Sequence, residues 1–177
     1  MSESEGKNAM EWIRRAADYR VLVGKRDSLG FALVAGELQR LEELERFFGR
    51  DANRRRTPWA DREQLRAPAR LVVQFGDAVG FLRDLSGHGM FVETTRPLTP
   101  GERTVVRVNE AMQRGLDGFP FDLEEEPSSV DEWRFAAEVV RVDIHGMGLR
   151  LVGIPLQLRI SHHGTPVAPS PQIHHAA

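Results

Sequence analysis

Apolar side chains recur at helical spacing through the first fifty residues and then at every second position, and that change of period divides the chain. Trp12, Ile13, Ala16 and Ala17 mark one amphipathic stripe, and Leu38, Leu41, Leu44 and Phe48 mark a second. Asp27-Ser28-Leu29-Gly30 interrupts the two and Gly49 supplies a C-terminal stop, so the spacing predicts a helical hairpin over residues 8–49. Glu42 and Arg46 stand four apart in the favourable order on the second helix. A two-helix unit buries little core alone. It is therefore expected to pack on its own domain or to offer a docking or dimerisation surface.

Residues 50–66 show no buried face: Arg54-Arg55-Arg56, Thr57-Pro58 and the charged run from Asp61 to Gln64 read as a linker. From Leu71 the period becomes two. Leu71, Val73 and Phe75 alternate with Val72 and Gln74, and Val79, Phe81 and Leu85 repeat the pattern after a turn at Gly76-Asp77. Met90–Val92, Thr104–Val108, Arg134–Val142 and Gly146–Val152 complete about six short strands with frequent turn signals between them. That arrangement predicts a small antiparallel barrel or sandwich. Asn109–Trp133 contains Glu124-Glu125-Glu126-Pro127 and reads as a long, solvated surface insertion. The tail beyond the last strand holds Pro166, Pro169 and Pro171 and is expected to be mobile.

The chain has 177 residues, 41% hydrophobic and 28% charged, which suits one soluble domain with an appendage. No apolar run approaches the roughly 18 residues of a spanning helix. The acidic, polar N-terminus does not read as a secretory signal. Zero cysteines exclude disulfides, thiolate metal sites and thiol catalysis, and fit a cytoplasmic location. A net charge of −2 speaks against a general nucleic-acid coat. Arginine supplies 22 of the 24 cationic side chains, a bias that a GC-rich coding sequence explains. At that frequency about 2.7 R-x-x-x-R pairs are expected from composition, and five occur, at 46/50, 50/54, 62/66, 66/70 and 103/107. Such a pair says little by itself. The D-x-S-x-x-G run Asp84-Leu85-Ser86-Gly87-His88-Gly89 is different, since its expected occurrence is about 0.04.

On a strand Asp84 and Ser86 would project from the same face. A carboxylate beside a hydroxyl can read the donor edge of a guanine, and Gly89 lets a ligand or the chain approach closely. The competing reading is that Asp84 and Ser86 only stabilise a tight turn. Arg62 and Arg66 lie between the linker and the first strand. Arginine's planar fork grips phosphate oxygens in two bonds and can lie flat on a guanine.

Arg62-Glu63-Gln64-Leu65-Arg66, the strand ending Val73-Gln74-Phe75, and Asp84-Leu85-Ser86-Gly87-His88-Gly89-Met90-Phe91-Val92 together resemble a PilZ domain. The Pro97–Glu102 turn and Gly146-Met147-Gly148-Leu149 match the same layout, so the resemblance covers roughly residues 60–155. It implies a mainly β, six-stranded antiparallel PilZ-type barrel that binds cyclic di-GMP, often as an intercalated dimer. By that resemblance Arg62 and Arg66 clamp phosphate and stack on guanine, and Asp84, Ser86 and Gly89 meet a guanine on the barrel surface. Arg70 makes a second R-x-x-x-R register with Arg66 and is an additional candidate contact.

The expected organisation is a helical N-terminal region (1–50), a linker carrying the arginine clamp (51–66), the barrel with its insertion (67–158, insertion 109–133) and a flexible tail (159–177). The expected function is a bacterial cyclic di-GMP receptor or effector. It would signal through linker and N-terminal rearrangement to a protein partner held by the helices or the insertion, with a homodimer also admitted. The alternative is a PilZ-like interaction module that does not bind nucleotide. An enzyme is not expected: His162-His163 and His174-His175 lie in the tail, His88 and His145 stand alone in turns, and no phosphate-loop or Ser/His/Asp motif occurs. No cofactor or metal is expected either. Nucleic-acid binding would rest on Arg54-Arg55-Arg56 without an aromatic platform and is discounted.

Overall fold

The computed structural model describes residues 3–49, 71–109, 111–113 and 129–161. The chain begins with helix α1 (Glu3–Val23), passes through a π-helical turn (Gly24–Ser28) and returns in helix α2 (Ala35–Gly49). The two stripes read from the sequence meet, except that Leu38 at the start of α2 stays exposed. Met10, Ile13, Ala16 and Ala17 are buried with Leu41, Leu44 and Phe48, and Trp12 sits 4.4 Å from Phe47 between ring centroids. Across the hairpin, Lys25 Nζ donates to Glu37 at 2.6 Å, while the same carboxylate accepts the Val34 N–H at 3.2 Å. Both bonds hold the Glu37 carboxyl below its ordinary range.

Among the described residues seven antiparallel strands follow: β1 (Leu71–Phe75), β2 (Ala78–Leu85), β3 (Gly89–Glu93), β4 (Arg103–Asn109), β5 (Ser129–Asp143), β6 (Gly146–Leu151) and β7 (Leu156–Ser161). The hydrogen-bonded order β4-β1-β2-β3-β6-β5 closes on itself through β4–β5 pairing, giving the six-stranded barrel implied by the sequence. Its interior is filled by Leu71, Val73, Phe75, Leu82, Val92, Val106, Phe135, Val139 and Met147, all at most 2% exposed. The helices share this core rather than forming a separate one.

Three features depart from the sequence reading. First, Val79 and Phe81 point outward (58% and 37% exposed), and Gly80 and Leu82 take the inner face of β2. A β-bulge between Leu82 and Asp84 then resets the phase, so that Leu85 faces inward again. Second, Ser129–Trp133, assigned to the insertion, form the first third of β5, because Glu132 and Trp133 pair with β4 and the whole stretch pairs with β7. Third, β7 runs to Ser161, three residues into the segment expected to be a tail; it follows β6 along the same edge of the 15-residue β5.

The barrel's weakest seam is β1–β4, paired only at Gln74–Arg107 and Phe75–Val106. There a side chain replaces a strand. Gln113, on a single 3-10 turn (Ala111–Gln113) after β4, accepts the Val72 N–H through Oε1 at 2.7 Å. Its Nε2 donates back to the Val72 carbonyl at 2.9 Å and to the Asn109 carbonyl at 3.1 Å. One amide thereby satisfies both backbone groups that an absent strand neighbour would have taken.

Candidate functional site

The D-x-S-x-x-G run occupies the end of β2, the connecting turn and the start of β3. Asp84 lies on the last residues of β2 just after the bulge, half-buried on the outer face, and stands directly opposite Phe91 of β3. Phe91 is opposite Gly148 of β6, and Gly148 is opposite Arg141 of β5. Antiparallel partners share a face, so Asp84, Phe91, Gly148 and Arg141 make one row across four strands of the barrel's outer surface. The missing side chain at Gly148 is what lets Arg141 cross the row: a Cβ there would fall 2.8 Å from Arg141 Cγ and Nε. The guanidinium reaches 5.5 Å from the Phe91 ring centroid, a cation–π contact, and Phe91 is left only 7% exposed. The sequence reading missed Phe91 and Arg141. Their link to Asp84 is a matter of strand register, which no local pattern encodes.

The turn itself is closed by Ser86. Its hydroxyl donates to the Gly89 carbonyl at 3.1 Å and accepts the N–H groups of Gly89 (3.1 Å) and His88 (3.3 Å). The Ser86 N–H also donates to the Gly89 carbonyl, at 2.9 Å. Ser86 therefore sits in the turn rather than on the strand, and its hydroxyl is engaged by the turn's own backbone. Gly89 is required by the barrel: a Cβ would meet the Leu149 carbonyl oxygen at 2.7 Å. The Leu151 N–H donates to the His88 carbonyl at 2.9 Å, tying the turn to the end of β6.

Helix α1 covers the tip of this turn. The Tyr19 ring lies against Gly87, and His88 packs edge-on to it at 5.4 Å and 86°, with Tyr19 Oη 3.3 Å from His88 Nε2. Burial, with a lesser contribution from the nearby Arg20 guanidinium, pushes the His88 pKa below its ordinary value of 6.5, and burial raises that of Tyr19. An unfolded His88 thus holds its proton at pH values where the folded one has released it. Its contribution to stability is complete above pH 6.5 and is lost as the pH falls through the window below that value. The unfolding midpoint should therefore fall between pH 7.5 and 5.5, and fall less in His88→Gln; equal falls in the two proteins would remove His88 as the cause.

Arg62, Arg66 and Arg70 lie outside the described residues. The chain enters β1 at Leu71, opposite Leu82 and two residues from Asp84. Among the described residues no group of three His, Asp or Glu side chains is placed to hold a metal ion, and no helix is long and apolar enough to cross a membrane.

The chain thus forms a closed antiparallel barrel that carries a polar turn and an arginine-covered aromatic on its outer wall. A family model described as PilZ domain matches residues 53–162, more than half of the chain, and the chain belongs to that family. PilZ domains as a family are receptors for cyclic di-GMP, binding domains rather than enzymes. No curated protein and no solved structure matches the chain.

Proposed function

We propose that this protein is a cytoplasmic bacterial cyclic di-GMP receptor that passes the signal to a protein partner. The observation that carries the reading is the row Asp84–Phe91–Gly148–Arg141 beside the Ser86–Gly89 turn. In it a carboxylate suited to guanine N–H donors lies next to a flat apolar surface under a guanidinium. Asp84 accepts from the guanine edge, Ser86 sets the turn and offers its hydroxyl by exchanging its bond to Gly89, and Gly89 permits the approach. Arg62 and Arg66, with Arg70 as a further contact, close on the phosphates from the segment that leads into β1. The ligand orders residues 51–66 against the barrel and shifts the helices, to the extent that its affinity differs between the two arrangements. Leu29, Phe31 and Val34, more than half exposed at the tip of the helical pair, offer an apolar surface to a partner; the insertion is the other candidate docking segment.

Titration calorimetry with cyclic di-GMP tests this directly. Saturable heat is expected, with Asp84→Ala weakening the affinity roughly tenfold or more, as for loss of a charge-assisted hydrogen bond. A second reading, a PilZ-like interaction module without nucleotide binding, draws on the Ser86 hydroxyl being fully engaged inside the turn. Absence of heat at high micromolar nucleotide would establish that reading instead.

A further inference from the structure

We propose that helix α1 is part of the nucleotide site, and that Tyr19 is a positioning residue which fixes the Ser86–Gly89 turn in its ligand-accepting shape. The assignment rests on the nucleotide reading above and names how the site reaches the helices.

Four contacts carry it. The Tyr19 ring occupies the space into which a side chain at position 87 would grow, since a Cβ on Gly87 would fall 2.5 Å from both Cδ1 and Cε1 of the ring. The ring is thus in direct contact with the turn's backbone at its tip, and turn conformers that lift Gly87 collide with it. The Tyr19 hydroxyl is hydrogen-bonded to His88 Nε2 at 3.3 Å, fixing the next residue. Arg20, the adjacent helical residue, donates through Nε (3.2 Å) and Nη2 (2.7 Å) to the Gly153 carbonyl in the β6–β7 turn. That second turn is joined to the first through the bond from Leu151 N–H to the His88 carbonyl. Tyr19 and Arg20 thereby hold two neighbouring turns from one helix, and the two turns hold each other.

The motif turn is consequently held from three directions: by Ser86 from within, by β6 through the Leu151–His88 bond, and by α1 through the Tyr19 ring and hydroxyl. A ligand that meets this turn meets a surface shaped by α1, and by linkage it must bias α1 in return. The helical pair then senses the nucleotide at the turn itself, in addition to any route through residues 51–66.

The test uses the full chain with Tyr19→Phe, Tyr19→Ala and, as a control, Ile13→Val. Ile13 is fully buried on the same helix, nearly two turns before Tyr19. In the ligand-free proteins, amide exchange at His88 and Gly89 should accelerate in both Tyr19 variants and stay unchanged in Ile13→Val, although all three lower the unfolding midpoint. Cyclic di-GMP affinity should fall about threefold to tenfold in Tyr19→Phe, which keeps the ring and loses one hydrogen bond. It should fall further in Tyr19→Ala, within the roughly 5- to 150-fold range of site-to-site coupling. Wild-type affinity in folded Tyr19 variants, or an equal loss in Ile13→Val, overturns the assignment while leaving the nucleotide reading intact. Absence of nucleotide binding by the wild type overturns both.

Discussion

Replacing Arg62 and Arg66 together with alanine should abolish measurable cyclic di-GMP binding while leaving the unfolding midpoint within a degree or two of wild type. Each guanidinium would lose charge-assisted, two-pronged contacts to phosphate, at about 1.5–3 kcal/mol apiece. If the two act independently the affinity falls by roughly two to four orders of magnitude. Both residues precede β1 in the sequence, and the interior of the barrel is filled by apolar side chains of its strands. Calorimetry alongside a thermal melt separates the possibilities. Retained affinity with intact folding would move the phosphate contacts to other arginines, Arg70 first and Arg141 second. A large fall in the melting midpoint would instead mark the pair as structural.

Phe135→Ala should have the largest effect on stability. Phe135 is 2% exposed in the middle of β5, opposite Val106 of β4, and so lies where the barrel closes. Emptying such a site removes a large apolar side chain and leaves a cavity that close-packed neighbours only partly fill, at about 3–5 kcal/mol. For a chain of this size that corresponds to a loss on the order of 10 °C in the unfolding midpoint. A melt shifted by less than about 3 °C would mean that the seam relaxes around the vacancy. The β1–β4 contact is short enough to be the place where it does so.

The helical pair and the ring of strands were legible because both rest on periodicity. Ile13, Ala16 and Ala17 and then Leu41, Leu44 and Phe48 repeat at three and four, and Leu71, Val73 and Phe75 at two, and all are buried, whereas Leu38 of the second stripe is exposed. The phase of β2 was not legible. Val79, Phe81 and Leu85 share parity in sequence, but the bulge at Leu82–Asp84 adds a residue, and only one parity can then face the core on each side of it. Larger Val79 and Phe81 lost the inner face to Gly80 because Val92 and Phe75 leave no room there for a Cβ. The motif turn was found through its rarity in the sequence, and its internal bonding through Ser86 matches the turn-stabilising alternative for that residue. Phe91, Arg141 and Tyr19 were beyond reach for one shared reason: each meets the turn or Asp84 through non-local pairing or helix docking, at separations of up to 69 residues. The arginine clamp, the domain boundaries upstream of β1 and most of the insertion fall outside the described residues.

The Gln113 amide makes the first turn after β4 indispensable to the barrel. The turn Ala111–Gln113 is a plug in the barrel wall. Cutting back to Asn109 would strip β1 of its guard and present the Val72 N–H and carbonyl as an open edge. Such an edge recruits strands from other molecules. A form of this protein whose insertion is cut back to Asn109 and joined directly to β5 is therefore an aggregation hazard even though every barrel strand is present, and one that keeps Ala111–Gln113 is not.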